Sequence, residues 1–476
     1  MTLDELIGSG AITSVVHRAS EAGPGSLFCA LTGLRADGHD HVAEAASRGA
    51  AAAVVEREVP GVAIPQVVVP DARLAMALAA AAVAGHPSDD LLVVGVTGTN
   101  GKTTSAFLIR AVLEAAGHRT GLIGTIEARV GGEVLPVAHT TPDAVELQAL
   151  FARMRAAGDT ACAMEVSSHA LMQRRVAGTR FAAALFTNLT RDHLDYHPDV
   201  ESYFAAKRRL FARPPEEGPD PPGASNLDDD FGRRLAEETD ALGFAVDADA
   251  PVRPASARGL ETGIVATVAT PRGPVEVVSH LRGRFNLANI TGVVAVGELL
   301  GLPHEAVAAG IGSVRGVPGR FEAIDDGQPF PVIVDYAHTP DSLDNVLRAA
   351  RELVAGGRLL VVFGCGGDRD RGKRPQMGTV ARTLADVAVV TSDNPRTEEP
   401  DAIISEIVSG SSGRAELHVE PDRRAAIGWA LSRGERGDVV VIAGKGHEQG
   451  QERTGVKTPF DDREVARAEL GAGAAA

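Results

Sequence analysis

The chain has 476 residues, more than one hydrophobic core organises, so about two to four domains are expected. It carries 47 Lys and Arg against 63 Asp and Glu, a formal charge of −16 at pH 7. That balance leaves no broad basic face for non-specific nucleic-acid or anionic-membrane binding. The three cysteines, Cys29, Cys162 and Cys365, are far apart and form no C-x-x-C pair, so no disulfide framework or structural zinc site is suggested and a reducing cytoplasm fits.

Met1-Thr2-Leu3-Asp4-Glu5 lacks the basic-then-apolar order of a signal peptide. The first block, residues 1–88, holds short apolar runs at 26–31, 51–55 and 67–69 and an alanine-rich helix at 74–84, too short to span a bilayer. Pro87 and the acidic pair after it mark a linker. The second block, 89–316, has strand-like runs at 91–96, 122–126, 161–166 and 183–186. Between the first two, Leu108, Val112 and Ala116 share one face of a helix over 105–116 that Gly117 stops. Continuous apolar strands alternating with helices imply an α/β fold whose parallel sheet is covered on both faces. Residues 214–222, rich in proline and acid, read as an exposed loop. The third block, 317–476, is expected to be Rossmann-like, with strands at 332–334, 359–363, 387–390 and 439–442 and a Gly/Ala tail that frays after Leu470.

Gly95-Val96-Thr97-Gly98-Thr99-Asn100-Gly101-Lys102-Thr103-Thr104 follows the first strand of the second block. A strand running into a glycine turn and then a helix lets backbone N–H groups cradle phosphates, with a lysine as point charge and a threonine hydroxyl for Mg²⁺. In the usual G-x-x-x-x-G-K-[ST] pattern the first glycine would fall at Val96, so the spacing here is a variant. ATP or GTP binding is the expectation.

Other polar motifs also sit where strands end. They include Glu165-Val166-Ser167-Ser168-His169, Asn188 to His193, Asp335-Tyr336-Ala337-His338, Gly364 to Asp370, Asp393-Asn394-Pro395-Arg396 and Gly444-Lys445-Gly446-His447-Glu448. Open α/β sheets bind ligands at the carboxyl ends of their strands. Taken singly, each motif has a plainer alternative: Glu165 as a helix cap, His169 and His193 as satisfied core histidines, Asp335 as an N-cap, and 368–370 as a solvated turn. Shared placement favours a reaction between two domains. Glu165 is a candidate Mg²⁺ ligand. Arg320 and Lys102 could neutralise a transferring phosphoryl group. Arg369 and Arg396 could grip carboxylates, which points to an amino acid as second substrate.

In order, these blocks resemble the Mur ligase family, and the likeness covers nearly the whole chain. Phe285-Asn286-Leu287-Ala288-Asn289 and Asn188 through His197 belong to the same series. Within the family, Asp-Asn-Pro-Arg accompanies members that add diaminopimelate to a UDP-muramoyl-dipeptide in peptidoglycan precursor synthesis. The resemblance implies three domains: one for the UDP-sugar, a P-loop ATPase, and one for the amino acid. It also implies ligation through an acyl phosphate. Gly98, Thr99, Asn100, Gly101, Lys102, Thr103, Thr104, Asn289, Arg320 and Asp335 would hold ATP. Thr103, Glu165, His193 and Lys207 would serve the metal, Lys207 as a carbamate made with CO₂; from the residues alone it reads as an exposed helix lysine. Lys102, Glu165, His193, Lys207 and Arg320 form the implied catalytic set.

Val15, His17, Leu34, Arg35, Ala36, Thr140, Thr141, Ser167, Gln173 and Arg175 would contact the UDP-muramoyl-peptide. Arg369, Asp393, Asn394, Pro395, Arg396, Gly444 and Glu448 would hold diaminopimelate, whose far carboxylate pairs with Arg396. His17-Arg18 stands where family members often carry Ser-Arg. A cytoplasmic monomer, binding neither nucleic acid nor membrane, is expected. The other readings are a lysine-adding or related ligase, and an ATPase that does not ligate.

Overall fold

A computed structural model of the chain describes residues 2–33, 36–259 and 263–474. The first sheet is small and parallel, with Ser14–Val16, Ser26–Cys29, Ala52–Val55 and Gln66–Val68 side by side in chain order. Every residue of its two inner strands is buried. The alanine-rich helix Ala72–Val83 covers it and starts where the Asp71 carboxylate accepts from Leu74 N. Small side chains let this helix pack closely against helix Ala144–Ala157 of the next sheet.

The second sheet has eight strands, ordered Leu242–Phe244, Gly223–Asn226, Ala183–Phe186, Leu92–Thr97, Ala161–Glu165, Thr120–Ile123, Ala128–Val130, Glu133–Leu135. The first six run parallel, and the last two extend the sheet as an antiparallel meander, each antiparallel to the strand before it. Leu92–Thr97 therefore lies between the strands that lead into Thr187-Asn188 and into Glu165. Helix Lys102–Ala115 starts three residues earlier than periodicity suggests, because the glycine turn feeds straight into it. Gly117, at φ +93, ends it as expected.

The strand expected over 122–126 stops at Ile123. Gly124 and Thr125 turn there instead, and Thr125 bonds Glu165 through its N–H and its hydroxyl. Residues 214–222 are not simply an exposed loop. Glu217 is buried, its carboxylate pairs with Arg174 and Arg209, and its carbonyl accepts from Arg213 at 2.6 Å. The antiparallel strands Arg253–Arg258, Ile264–Ala269 and Val275–Ser279 were not anticipated.

The third sheet runs Glu322–Ile324, Val332–Asp335, Val439–Ala443, Leu359–Phe363, Val387–Val390, Glu416–Val419, all parallel except the first. A two-stranded hairpin, Gly450–Arg453 with Val456–Pro459, projects beside it. The last helix, Asp462–Ala474, continues through the tail expected to fray. Each cysteine is free and buried, and each sits at a different sheet: Cys29 and Cys162 within strands, Cys365 two residues past Phe363. Among the described residues no helix is long and apolar enough to cross a membrane.

Candidate active site

The glycine turn is held by its neighbours. Gly98 lies at φ +149 and Gly101 at φ +83, and a Cβ at either would strike Thr187 Oγ1 or Asn289 Oδ1. Asn100 N donates to Asn188 Oδ1 (2.9 Å), and Thr187 Oγ1 donates to Asn100 O (2.6 Å). Lys102 folds back on the turn, donating to Gly98 O (3.0 Å) and Thr99 O (2.9 Å). Burial lowers the pKa of its ammonium.

Lys207 is not the exposed lysine its sequence context suggests. It is 1% exposed on helix Val200–Arg208, and Nζ donates to the same carbonyl, Gly98 O, at 2.7 Å. Its Nζ also lies 4.4 Å from the Tyr203 ring centroid, one helical turn back. Burial, then repulsion from Lys102, drives its pKa well below the usual lysine range. The Tyr203–Lys207 spacing of i, i+4 was the available sequence signal, since it sets the amine on an aromatic, core-facing stripe.

Glu165 is 1% exposed, and its carboxylate accepts from Thr125 N (2.8 Å) and Thr125 Oγ1 (3.0 Å). Thr141 Oγ1 donates to Glu165 O (3.0 Å), and Arg175 donates to Thr141 O (2.7 Å) and to Gln173 Oε1 (2.8 Å). His193, at φ +54, has its imidazole pKa lowered by desolvation against the opposing charge of Asp192. His169, edge-on to it at 4.9 Å, is lowered to about 4 by burial and by His197.

The third sheet closes on this turn. Arg320 donates to Thr103 Oγ1 (3.0 Å) and lies over Tyr336, while its buried Nε has no partner among the described residues. Asn100 Nδ2 donates to Asp341 Oδ2 (2.7 Å), and Arg369 pairs with Asp195 at 3.5 Å. Asp335 accepts from Phe321 N (2.6 Å) and Ala337 N (2.7 Å). Burial pushes its carboxyl up to about 6 despite Arg320. Thr125, Asn188, Asp192 and Asp341 were given no role from sequence, because their partners lie on other strands or on the other sheet.

Further along the third sheet, Lys445 Nζ donates to Asn394 Oδ1 and Glu448 Oε2, both at 2.9 Å, and Asn394 Nδ2 donates to Glu448 Oε2 at 2.8 Å. Burial raises the Asp393 carboxyl, but Lys445 and Arg423 outweigh it and hold it below the usual carboxylate range. Gly444 lies at φ +120, where a Cβ would press on Asp393 Oδ2.

One cavity of about 770 Å³ joins these parts. Thr99 to Thr104, Glu165, His193, Lys207, Asn289, Arg320 and Asp335 line it, as do Thr140, Thr141, Ser167, Arg175, Arg369, Arg396 and Glu448. Gly98, Gln173, Asn394, Pro395 and Gly444 lie behind that lining, bonded to or next in chain to residues that form it, and Asp393 lies one residue further back, its carbonyl accepting from Gln451. Val15 is a core residue of the first sheet, so its side chain faces packing rather than a ligand. His17 and Ala36 are also outside the lining, and Leu34 and Arg35 lie outside the described residues.

Three family models match in order: "Mur ligase family, catalytic domain" over residues 11–86, "Mur ligase middle domain" over 96–297, and "Mur ligase, glutamate ligase domain" over 319–446. A curated relative from Streptomyces coelicolor is 45% identical over 474 residues, covering 97% of this chain and 92% of its own. The chain belongs to the Mur ligase family. That relative is named UDP-N-acetylmuramoyl-L-alanyl-D-glutamate–2,6-diaminopimelate ligase. One of the same name from Gloeobacter violaceus is 48% identical over 451 residues, 94% of this chain and 91% of its own. A solved structure under that name superposes with a TM-score of 0.69 at 33% identity, covering 97% of this Mur ligase and 95% of that chain.

Among the described residues of this Mur ligase no group of three or more His, Cys, Asp or Glu converges on a metal position. The oxygen donors present, Thr103 and Glu165, suit a hard cation whose shell is completed by phosphate and water.

Proposed function

We propose that this Mur ligase joins meso-2,6-diaminopimelate to the D-glutamate of UDP-N-acetylmuramoyl-L-alanyl-D-glutamate at the expense of ATP. The observation that carries the reading is the single cavity in which the phosphate turn, the Glu165–Arg175 wall and the Arg369–Arg396–Glu448 end meet. In this reading residues 1–88 take the UDP-sugar, 89–316 the nucleotide and 317–476 the amino acid. In this reading the working unit is a monomer.

A carboxylate is a poor acceptor, so it is activated first. The D-glutamate carboxylate oxygen attacks the γ-phosphorus of ATP, ADP leaves, and an acyl phosphate forms. The diaminopimelate amine then attacks the acyl carbon, and the tetrahedral adduct collapses with loss of phosphate to leave an amide. Lys102 and Arg320 do electrostatic work in the first step. Lys102 exchanges two neutral carbonyls for phosphate oxygens, and the unpartnered Nε of Arg320 turns to the same anion. Thr103 and Glu165 would hold Mg²⁺, which neutralises charge on the phosphates when bound. His193 stays neutral beside them.

The buried amine of Lys207 is the form that condenses with CO₂. Its nitrogen bonds the carbon, a proton is lost, and a lysine hemmed in by Lys102 becomes an anionic oxygen donor. Arg396 and Arg369 receive carboxylates of the incoming amino acid.

Phosphate release by the purified protein with ATP, Mg²⁺ and the UDP-dipeptide tests this, with meso-diaminopimelate or L-lysine offered in parallel. Release with diaminopimelate alone is expected. Release without either amine would mean an ATPase that does not ligate.

A further inference from the structure

The hairpin of Gly450–Arg453 and Val456–Pro459 holds none of the motifs above, yet it bonds most of the segment Ser392 to Arg396. Gln451 Nε2 donates to Ser392 Oγ (3.0 Å) and Asp393 O (2.7 Å), and Glu452 N donates to Asn394 Oδ1 (3.0 Å). Arg396 N donates to Glu452 O (3.0 Å), and Thr454 N donates to Arg396 O (2.6 Å). Both backbone groups of Arg396 are thus tied to the hairpin, the N–H to its first strand and the carbonyl to its turn. The tie matters because Arg396 sits at φ +51, a left-handed conformation that side chains beyond glycine rarely adopt.

The guanidinium is held as well. Arg396 Nη1 donates to Gly367 O at 2.6 Å, and Nε faces Glu452 Oε2 at 3.5 Å. Nη2 has no protein hydrogen bond among the described residues, and Arg396 lines the cavity. Two nitrogens orient the fork and the third remains for a ligand.

We propose that this hairpin is a specificity element, in which Gln451 and Glu452 are positioning residues that set Arg396 for the far carboxylate of the incoming amino acid. The inference rests on the reading of Arg396 given above and adds what holds it. A free arginine loses side-chain freedom when it grips a carboxylate; one oriented beforehand does not, so binding strengthens for the ligand that has the carboxylate and not for one that lacks it. Glu452 is 44% exposed, and its pair with Arg396 is long and solvated. It steers the guanidinium without neutralising it, which leaves the charge for the substrate.

The test uses the full chain and phosphate release, with Glu452→Ala, Gln451→Ala, Arg396→Ala and each hairpin change combined with Arg396→Ala. Each hairpin variant is expected to raise KM for diaminopimelate about tenfold, with kcat and the KM for ATP within about twofold. In the Arg396→Ala background neither should raise it further. Glu452→Ala removes a half-exposed side chain and keeps the strand, so it separates positioning from folding. An unchanged KM for diaminopimelate, an equal rise in the KM for ATP, or a full additional effect without Arg396 overturns the inference alone. A wild-type protein that uses lysine as well as diaminopimelate overturns the reading of Arg396, and the inference with it.

Discussion

At the nucleotide end of the cavity, Lys102 and Lys207 share one acceptor, Gly98 O, and neither forms an ion pair among the described residues. At the amino-acid end the three most deeply buried cations among the described residues each have an anion. Lys445 meets Glu448, Arg374 meets Glu398 and Glu406, and Arg423 meets Asp462 with both side chains fully buried. A buried cation without a counter-ion is costly, and proteins relieve it by giving up the charge or by binding an anion. The underpaired end is therefore the one suited to receive anions. The paired end is a finished scaffold that presents a few remaining donors.

This contrast can be broken by substitution. Lys207→Met should lower phosphate release by at least about 10²-fold, the scale of losing one preorganised charge at a reaction centre. Its urea midpoint should hold or rise, because a poorly paired amine is replaced by an apolar chain of similar size. Arg423→Met should do the reverse to stability, costing about 3–5 kcal/mol by stranding Asp462 in the core. If both variants moved stability the same way, the two ends would not differ as described.

Asp335 sharpens the comparison through pH. Its carboxyl sits at about 6 when folded, against about 3.9 in an unfolded chain. The folded state thus binds the extra proton between those values, and stability falls as pH rises through that window, by about 3 kcal/mol. Asp335→Asn should flatten that slope, measured as the difference in urea midpoint between pH 4 and pH 7. Asp341→Ala is expected to have the smallest effect, raising the KM for ATP a few-fold, about 1 kcal/mol, by removing one tie between Asn100 and the third sheet.

What the sequence revealed follows from how local each signal is. Leu359–Phe363 and Val387–Val390 have the expected bounds because unbroken apolar strands between polar ends are local patterns. The glycine turn and the strand-end motifs were readable for the same reason. Lys207 was not, since its burial depends on Gly98, 109 residues away. Nor was the role of Thr125, 40 residues from the carboxylate it holds, or of the hairpin, whose partners come from a loop between other strands. The strands Ile264–Ala269 and Val275–Ser279 do alternate buried and exposed residues. That period-two pattern is weaker than a continuous apolar run, because every second residue is polar, small or exposed.

The placement of the cysteines has a practical consequence. Cys29, Cys162 and Cys365 each lie at a different sheet, and burial raises the pKa of every one. A thiol reagent cannot reach them until the surrounding layer opens, so alkylation mapped by peptide mass reads three opening equilibria from one unmodified protein. ATP should slow the labelling of Cys162 and Cys365, whose domains meet at the glycine turn, and leave Cys29 almost unchanged. The chain carries a separate clock for each of its layers.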